Sequence, residues 1–440
     1  MILIKNGRVI DPESKFDDIA DIIIDGEVIK KIGKSINIEY AEKIDEVIDA
    51  EGLIVCPGLI DVHVHFRDPG LTYKEDIQTG SDAAAKGGFT TVVCMANTKP
   101  AVDNEETLNY ILNETKKSKI NVLQTAAVTL NLAGTELTNM EILKDLGAVG
   151  FTDDGFPIMD ASIVLRAMET AKKLNVPISF HEEDPSLVGN SGINEGKVSN
   201  IFNIKGASPA AEDVMIARDC TLALQTKAKV NIQHVSSGAA VDIIRYAKLK
   251  GANIYAEASP HHFTLTEDDV INYKTNAKMN PPLRTEEDRL KIIEGLKDNT
   301  INIIATDHAP HSSAEKQREF IDAPSGIIGL ETALSLGITK LVEEGHLSLI
   351  ELLEKMTINP ANLYNLNLGR IKKGLTADLL IFNLNEKWIV DNFVSKSSNS
   401  PFIGWKLKGK VKYTICKGKI VYMDKWLSNN KLHTYNKLKI

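Results

Sequence analysis

Residues 52–65 read GLIVCPGLIDVHVH and form the first of eight short apolar runs in the chain. The other seven runs, in order, are FTTVVCMA, NVLQTAAV, AVGFTDD, PISFHEE, KVNIQHVSS, NIYAEAS and INIIATDH. Segments with apolar residues three and four positions apart separate several of them, such as NEETLNYILNETKKSK and DASIVLRAMETAKKLN, and this spacing is typical of amphipathic helices. Alternating buried strands and helices predict an α/β fold with a parallel sheet, and eight repeats predict its closure into a (β/α)8 barrel of the TIM type.

A doubly wound open sheet is the main alternative to the barrel. Folds of that kind commonly bind phosphate groups at a glycine-rich turn after a strand, with the pattern GxGxxG or GxxxxGK(S/T). Neither pattern follows any of the eight apolar runs. The sequence therefore favours the barrel.

The two ends of the chain resemble each other and differ from the middle. Near the start, ILIKNGRVI and DIIIDGEVIKKI are β-rich runs with Asn-Gly and Asp-Gly turn signals, and GRIKKGLTADLLIFNL and KYTICKGKIVYMD are similar runs near the end. We expect the ends to pair into one small β-sandwich domain around the barrel. The predicted limits are residues 1–55 and 366–440 for the sandwich and residues 56–365 for the barrel.

Composition excludes several classes of protein. The 440 residues carry a formal net charge of -8, with 43% hydrophobic and 25% charged residues, which is typical of a soluble globular protein. No basic run with interleaved aromatic residues is present, so we expect no nucleic acid partner. No apolar run reaches the ~18 residues that cross a bilayer, and the start lacks the features of a secretion signal. We therefore expect a cytoplasmic protein without a membrane partner, whose four scattered cysteines stay reduced.

Histidines and carboxylates recur where the predicted strands end. His63 and His65 are two positions apart in the first run, so their side chains leave the same face of the strand. Other candidates follow later strands: Asp153, Asp154, His181, His234 and Asp307. The carboxyl ends of barrel strands open onto one face, where active sites are built, so these side chains are predicted to meet there.

The predicted cluster has the composition of a catalytic metal site. A single histidine at a strand end is more typical of a packed core residue, so the prediction depends on the whole set. Imidazoles with carboxylates and no thiol are typical of catalytic zinc, manganese or iron. Four imidazoles and two carboxylates exceed the needs of one tetrahedral ion. Two metals about 3.5 to 4 Å apart that share a water are the natural inference, and such a pair makes hydroxide at neutral pH.

Five motifs carry a resemblance to a known family. They are DVHVHFRDPG at residues 61–70, MANTKP at 95–100, FTDDG at 151–155, ATDHAPH at 305–311 and GLTADLL at 374–380. With these motifs the chain resembles, over its whole length, the dihydroorotase family of the amidohydrolase superfamily. HxH alone marks the superfamily, whereas HxHxRxPG together with NTxP and DHAPH is much more specific to dihydroorotases and their close relatives.

The resemblance implies roles for the metal-site residues. His63 and His65 would bind the more buried of two divalent ions, expected to be zinc, and His181 and His234 the more exposed ion. Asp307 would be both a ligand and the catalytic proton shuttle. The chain resembles the class I type in which an aspartate replaces a carboxylated lysine as the bridge. Asp154 is the expected bridge, and Asp153 would then face the other way, because adjacent strand residues point to opposite sides.

The resemblance also implies a set of substrate contacts. Arg67 would hold a substrate carboxylate with its planar fork, although a surface salt bridge to Asp68 or Glu75 is the alternative. The remaining expected contacts are His65, Asn97, Asn280, His311, Ser325 and Gly326. Ser325 stands where close relatives often have phenylalanine, which leaves the pocket shape there open. Three further histidines are expected to have packing or structural roles, namely His261, His262 and His308.

The function implied is the reversible cyclisation of N-carbamoyl-L-aspartate to (S)-dihydroorotate in de novo pyrimidine (UMP) biosynthesis, through a metal-bound hydroxide. A hydantoinase or allantoinase is one alternative, but it has less need of the pair Arg67 and Asn97. A non-catalytic scaffold partner of aspartate carbamoyltransferase is another, but the ligand set is complete. The resemblance further implies a homo-oligomer such as a dimer, and it leaves an association with aspartate carbamoyltransferase open.

Overall fold

The computed structural model describes residues 1–34, 36, 44–189 and 192–424. Residues 425–440 of the predicted C-terminal segment lie outside the described residues, as do 35, 37–43, 190 and 191. The described strands, in chain order, are β1 (Ile2–Asp11), β2 (Phe16–Asp25), β3 (Val28–Gly33), β4 (Glu46–Asp49), β5 (Ile54–Pro57), β6 (Leu59–Val64), β7 (Phe89–Cys94), β8 (Asn121–Gln124), β9 (Phe151–Thr152), β10 (Ile178–Phe180), β11 (Val230–Ile232), β12 (Ile254–Ala258), β13 (Ile303–Ile304), β14 (Leu379–Ile389), β15 (Lys406–Cys416) and β16 (Lys419–Met423).

Helices fill the intervals between the middle strands and follow the last of them. They are α1 (Ile77–Gly87), α2 (Glu105–Thr115), α3 (Met140–Leu146), α4 (Ala161–Lys173), α5 (Lys197–Phe202), α6 (Ala210–Thr226), α7 (Gly238–Leu249), α8 (Pro260–Thr264), α9 (Asp269–Tyr273), α10 (Glu286–Lys297), α11 (Ser313–Lys316), α12 (Ala333–Gly337), α13 (Leu349–Met356) and α14 (Ile358–Leu363). Among the described residues, no helix combines the length and apolar character that a bilayer-spanning segment requires.

The middle of the chain forms the predicted barrel. Strands β6 to β8 pair in parallel as one arc, and β9 to β13 pair in parallel as a second arc. Parallel bridges between Ala126 and Phe151, and between Val64 and His308, join the two arcs at both sides. Each of the eight apolar runs contains one barrel strand, so the predicted α/β barrel is confirmed.

The chain ends form a separate sheet. Its strand order is β16-β15-β14-β5-β1-β2-β3, and β4 pairs with β1. The two ends meet where β14 runs antiparallel to β5, with Leu379 opposite Pro57. Buried aliphatic side chains from both ends, including Ile4, Ile22 and Ile381, form its core. The predicted β domain from both ends is confirmed, whereas the exact domain limits remain a prediction.

One end of the barrel is filled by apolar side chains. Ile60 and Val93 from the barrel wall pack with Leu363 of α14 and with Tyr364. Nζ of Lys229, which immediately precedes β11, donates to the carbonyl of Leu363 at 2.9 Å, so the packed end is the one at which the strands begin. The other end, where the strands finish, is where the polar candidates gather.

A buried carboxylate joins the first and last barrel strands. Asp61 in β6 is fully buried, and its Oδ1 accepts the backbone N–H of His63 at 3.1 Å and that of Thr306 at 3.2 Å. The pairing of β6 with β7 is irregular between Asp61 and Val64. The side chain of Asp61 thus satisfies backbone donors that a regular ladder would pair, and it ties β6 to the segment after β13.

Candidate metal centre

The structure brings the six predicted metal ligands together at the open end of the barrel. His63 lies in β6 and His65 just beyond it, and the other four residues follow β9, β10, β11 and β13. All six are buried, with side chains that face one another: His63, His65, Asp154, His181, His234 and Asp307.

Asp154 lies at the centre of the four imidazoles. Its Oδ1 is 3.3 Å from Nε2 of His63, and its Oδ2 is 3.5 Å from Nε2 of His65. On the other side, Nδ1 of His181 and Nε2 of His234 are each 3.9 Å from Oδ1. One carboxylate therefore lies within 3.3 to 3.9 Å of a ring nitrogen from each of the four histidines.

Asp307 completes the half of the site that contains His63 and His65. Its Oδ1 is 3.0 Å from Nε2 of His65 and 3.5 Å from Nε2 of His63. The possible ligand atoms of His63, His65 and Asp307 lie within 4.8 Å of one another, as do those of His63, Asp154 and His234. The chain thus contains histidine and aspartate groups that are able to hold a metal ion.

The neighbouring aspartate, Asp153, points away from the imidazoles. Its Oδ1 accepts the backbone N–H groups of Val128 at 2.7 Å and Thr129 at 3.0 Å, and its Oδ2 accepts the hydroxyl of Thr129. Adjacent residues of an extended strand face opposite sides. The arrangement therefore separates the two carboxylates of the FTDDG motif, one toward the histidines and one toward the segment after β8.

Hydrogen bonds to the outer ring nitrogens orient the histidines. Nδ1 of His63 is 3.0 Å from Oε2 of Glu257, and Nδ1 of His65 is 3.0 Å from Oδ1 of Asn97. Because carboxylate and amide oxygens only accept, Nδ1 carries the proton of each neutral ring, which leaves Nε2 as the nitrogen that can bind a cation. His181 is turned the other way, with Nε2 at 3.6 Å from Oε2 of Glu183 and Nδ1 toward the site.

Sequence reasoning missed Glu257 and Glu183. Glu257 is a charged residue inside the apolar run NIYAEAS and is completely buried in β12. Burying a carboxylate inside such a strand is energetically unfavourable unless a partner compensates its charge. The position of Glu257 in an apolar run could therefore have indicated a buried partner. Glu183 stands two residues after His181 and lies within reach of its outer nitrogen. Only the folded structure identifies which histidine each one supports.

The electrostatics of the cluster fit a bound cation. Burial opposes the charge of Asp154, but His63, His65 and His181 outweigh it and lower the pKa of the carboxyl. Burial likewise opposes a charge on His63, yet Asp154 and Asp307 raise its pKa well above the ordinary value. Nε2 of His63 is buried and has no hydrogen-bond partner in the described structure. An orphaned imidazole nitrogen beside two carboxylates is a donor set that suits a divalent metal.

Three residues of the site hold unusual backbone conformations. The φ angles are 60° at Arg67, 32° at His234 and 49° at Asp307. These values lie in the left-handed region, which residues other than glycine rarely adopt. His234 and Asp307 each come shortly after a barrel strand. Such conformations cost on the order of 1–3 kcal/mol each and persist where the surrounding structure imposes them.

Arg67 lies beside His311 rather than in a surface salt bridge. Its Nε donates to the carbonyl of Pro310 at 3.3 Å, and its Nη2 is 3.5 Å from Nε2 of His311. The two carboxylates considered as alternative partners have other contacts. Asp68 accepts from the hydroxyl of Tyr110 at 3.1 Å, and Glu75 lies 3.5 Å from Nε2 of His308.

The other predicted substrate contacts surround the metal ligands, and several already bond within the chain. Nδ2 of Asn97 donates to Oδ2 of Asp154 at 3.1 Å, and Nδ2 of Asn280 donates to Oε2 of Glu183 at 2.8 Å. The carbonyl of Ser325 is 2.8 Å from Nε2 of His311. The N–H of Gly326 donates to the carbonyl of Lys278 at 2.9 Å.

Two of the histidines that the sequence assigns to packing or structural roles form hydrogen bonds with the backbone. Nε2 of His262 is 3.1 Å from the carbonyl of Pro281. Nδ1 of His308 accepts the N–H of Gly329 at 3.2 Å. His261 is buried against His262, with ring centroids 4.3 Å apart.

Comparison with known proteins identifies the family. The family described as Dihydro-orotase-like matches residues 52–240. The dihydroorotase of Clostridioides difficile (strain 630) is 63% identical over 96% of this chain and the whole of that protein. The dihydroorotase of Clostridium acetobutylicum is 58% identical over 97% of this chain and the whole of that protein, and that of Streptococcus pneumoniae serotype 4 is 54% identical over 96% of this chain.

Solved structures with the same fold include a hydantoinase and a dihydropyrimidinase. The L-hydantoinase (dihydropyrimidinase) of Arthrobacter aurescens aligns with a TM-score of 0.84 over 96% of both chains, at 25% identity. The dihydropyrimidinase of Brevibacillus agri NCHU1002 aligns with a TM-score of 0.82 at 23% identity, over 96% of this chain and 95% of that one, which shows the fold alone. The full-length matches at more than half identity are to dihydroorotases, and the chain belongs to the dihydroorotase family.

Proposed function

We propose that the six clustered residues form the metal centre at which this enzyme interconverts N-carbamoyl-L-aspartate and dihydroorotate in pyrimidine biosynthesis. The activity is that of a cyclic amide hydrolase acting on a small-molecule substrate. The observation that carries the proposal is the position of Asp154, within 3.3 to 3.9 Å of all four imidazoles. A carboxylate so placed can bridge two cations.

The donor set supports two divalent ions, with zinc as the expected metal. His63, His65 and Asp307 would hold one ion, His181 and His234 the other, and Asp154 would bridge them. Divalent ions at such a site supply Lewis acidity toward a carbonyl oxygen and lower the pKa of a coordinated water. Glu257 and Asn97 would keep the lone pairs of His63 and His65 directed at the site.

We assign proton transfer to Asp307. Its Oδ1 is 3.0 Å from Nε2 of His65, at the open end of the barrel, where a substrate would enter. In the hydrolytic direction this oxygen would accept the proton of the attacking water and pass it to the leaving ring nitrogen. Ring closure follows the same path in reverse, with the proton returning through the same oxygen.

We assign recognition of the substrate carboxylate to Arg67 and His311. N-carbamoyl-L-aspartate and dihydroorotate both carry a carboxylate that the reaction leaves unchanged. A guanidinium can hold it with two parallel hydrogen bonds. The comparisons support the hydantoinase or allantoinase alternative by a fold likeness to a hydantoinase at 25% identity, and a guanidinium beside an imidazole favours an acidic substrate. The complete ligand set likewise argues against a non-catalytic scaffold. We also expect a cytoplasmic protein that forms a homo-oligomer such as a dimer. Whether it associates with aspartate carbamoyltransferase is left open by the family resemblance.

Metal analysis together with a turnover assay tests the proposal directly. We expect about two divalent ions per chain, chiefly zinc, in protein that turns over dihydroorotate, because six ligands exceed what one tetrahedral ion uses. Mass spectrometry for metals measures the content. A fully active preparation with one ion per chain or fewer would contradict the two-metal centre and leave the activity standing.

The two aspartates of FTDDG offer a matched pair of variants. Asp154→Ala should lose metal and activity together, because it removes the carboxylate between the four imidazoles. Asp153→Ala should retain more of both and should lower thermal stability instead, because it breaks hydrogen bonds to Val128 and Thr129. Metal content and melting temperature of both proteins are the measurements. The reverse order of metal loss would move the bridge to Asp153.

Arg67→Lys tests the carboxylate contact. The variant keeps the charge but loses the planar fork, so kcat/KM for dihydroorotate should fall by ~10 to 100-fold, about 1.4 to 2.8 kcal/mol. A cyclic imide without the carboxylate should be affected far less. Equal losses on the two substrates would mean that Arg67 supports the fold or the metal ligands instead.

Asp307→Asn tests the proton shuttle. Turnover should be abolished in both directions while most of the metal stays bound, because the amide cannot accept a proton and five of the six proposed ligands remain. Steady-state rates in each direction and metal content are measured on the same preparation. If the variant keeps a rate within ~10-fold of the parent, a difference of only ~1.4 kcal/mol, the base is a different group.

A further inference from the structure

Both ring nitrogens of His311 have partners, and the partners differ in kind. Nδ1 is 3.3 Å from Nζ of Lys74, and Nε2 is 2.8 Å from the carbonyl oxygen of Ser325. The backbone N–H of His311 donates to Oδ1 of Asn399 at 3.0 Å, and the side chain of Asn399 donates in turn to the carbonyls of Ala309 and Gly326. The residue is therefore held at three points, two on its ring and one on its backbone.

Lys74 is a buried cation whose charge is maintained by Glu315. Its Nζ is 2.9 Å from Oε1 of Glu315, and the two side chains are 9% and 13% exposed. Burial opposes the charge of Glu315, but hydrogen bonds from Lys74, Ser312 and Tyr73 outweigh it and lower the pKa of the carboxyl to about 2. Burial lowers the pKa of Lys74, and the hydrogen bond and charge of Glu315 oppose that shift and favour the ammonium form.

The ammonium group decides which nitrogen of His311 carries the proton. An ammonium only donates hydrogen bonds, so Nδ1 must accept, and the proton of the neutral ring lies on Nε2. The carbonyl of Ser325, which only accepts, is correctly placed for that proton. Burial, followed by the nearby charges of Arg67, Lys74 and Lys316, lowers the pKa of His311 to about 2, so the ring stays neutral.

This tautomer leaves two donors facing each other. Nη2 of Arg67 lies 3.5 Å from Nε2 of His311, and a guanidinium also only donates. Neither group can satisfy the other. A carboxylate oxygen placed beside them would accept from Nη2 of Arg67, and it would share or replace the carbonyl of Ser325 as the acceptor of the Nε2–H.

We propose that Lys74, held by Glu315, is a positioning residue that sets His311 as an Nε2–H donor, so that His311 and Arg67 together bind one substrate carboxylate. The inference rests on the proposed function, in which Arg67 and His311 receive that carboxylate. Lys74 acts through His311 and does not itself touch the substrate.

Variants of Lys74 test this role by kinetics. Lys74→Met keeps the length of the side chain but removes the donor, so we expect KM for dihydroorotate to rise at least ~10-fold, with a smaller change in kcat. Lys74→Arg keeps a pure donor and should recover most of the loss. Lys355→Met is the matched control, because Lys355 is also buried but bonds to Asn299 and to none of the site residues. It should lower stability and leave KM unchanged.

Nitrogen-15 correlation spectra of the histidine-labelled parent protein test the tautomer without any change at Lys74. The signals of His311 are assigned by their loss in His311→Asn. We expect a neutral ring with the proton on Nε2 throughout the range in which the protein is folded. A proton on Nδ1 would overturn the inference even if Lys74→Met fails to fold.

The outcomes separate the two proposals. A parent without dihydroorotate turnover would overturn the proposed function. An active parent in which Lys74→Met keeps the KM of the parent, or in which His311 carries its proton on Nδ1, would overturn this inference alone. An equal rise of KM in Lys74→Met and Lys355→Met would assign the effect to general loss of stability and would also overturn it.

Discussion

The buried carboxylate of Asp154 is the group on which the rest of the site depends. A charge in the interior is strongly unfavourable unless opposite charges or donors compensate it. Here four imidazoles surround it, and the attraction of His63, His65 and His181 outweighs burial and lowers its pKa. The same grouping leaves Nε2 of His63 buried without a hydrogen-bond partner in the described structure. The carboxylate of Asp154 and the ring nitrogen of His63 therefore suit a bound cation. The same attraction between carboxylates and imidazoles stabilises the cluster and prepares it to bind metal.

Further hydrogen bonds surround Asp154 and the histidines and fix their orientation. Glu257 and Asn97 orient His63 and His65, and Asn97 also donates to Asp154. Each of these contacts joins segments far apart in the chain. The ligands are thus held by contacts from other barrel strands and from the segments that follow them, which suits a site whose geometry must be precise before substrate arrives.

A second group of charged residues makes one side of the site positively charged. Arg67, Lys74 and Lys316 lie around His311, and Glu315 compensates Lys74. The metal ligands carry the carboxylates, whereas this side carries the cations and a neutral imidazole. An acidic cyclic amide can be oriented by such an asymmetry, with its carboxylate at the cationic side and its ring amide at the metal ligands.

The sequence by itself determined the eight barrel strands, the sheet made from both chain ends and a set of histidines and aspartates at the strand ends, whereas the choice of Asp154 over Asp153 came from the family resemblance. It could do so because burial on both faces makes strands continuously apolar and because strand ends converge in a barrel. The sequence could not determine that Asp61 ties β6 to Thr306, that Glu257 orients His63 or that Lys74 sets His311. Those contacts join residues far apart in the chain, and the left-handed backbone of His234 and Asp307 is likewise imposed by the packing around it. Only the tertiary structure decides them, since hydrogen-bond partners depend on distances that no local pattern encodes.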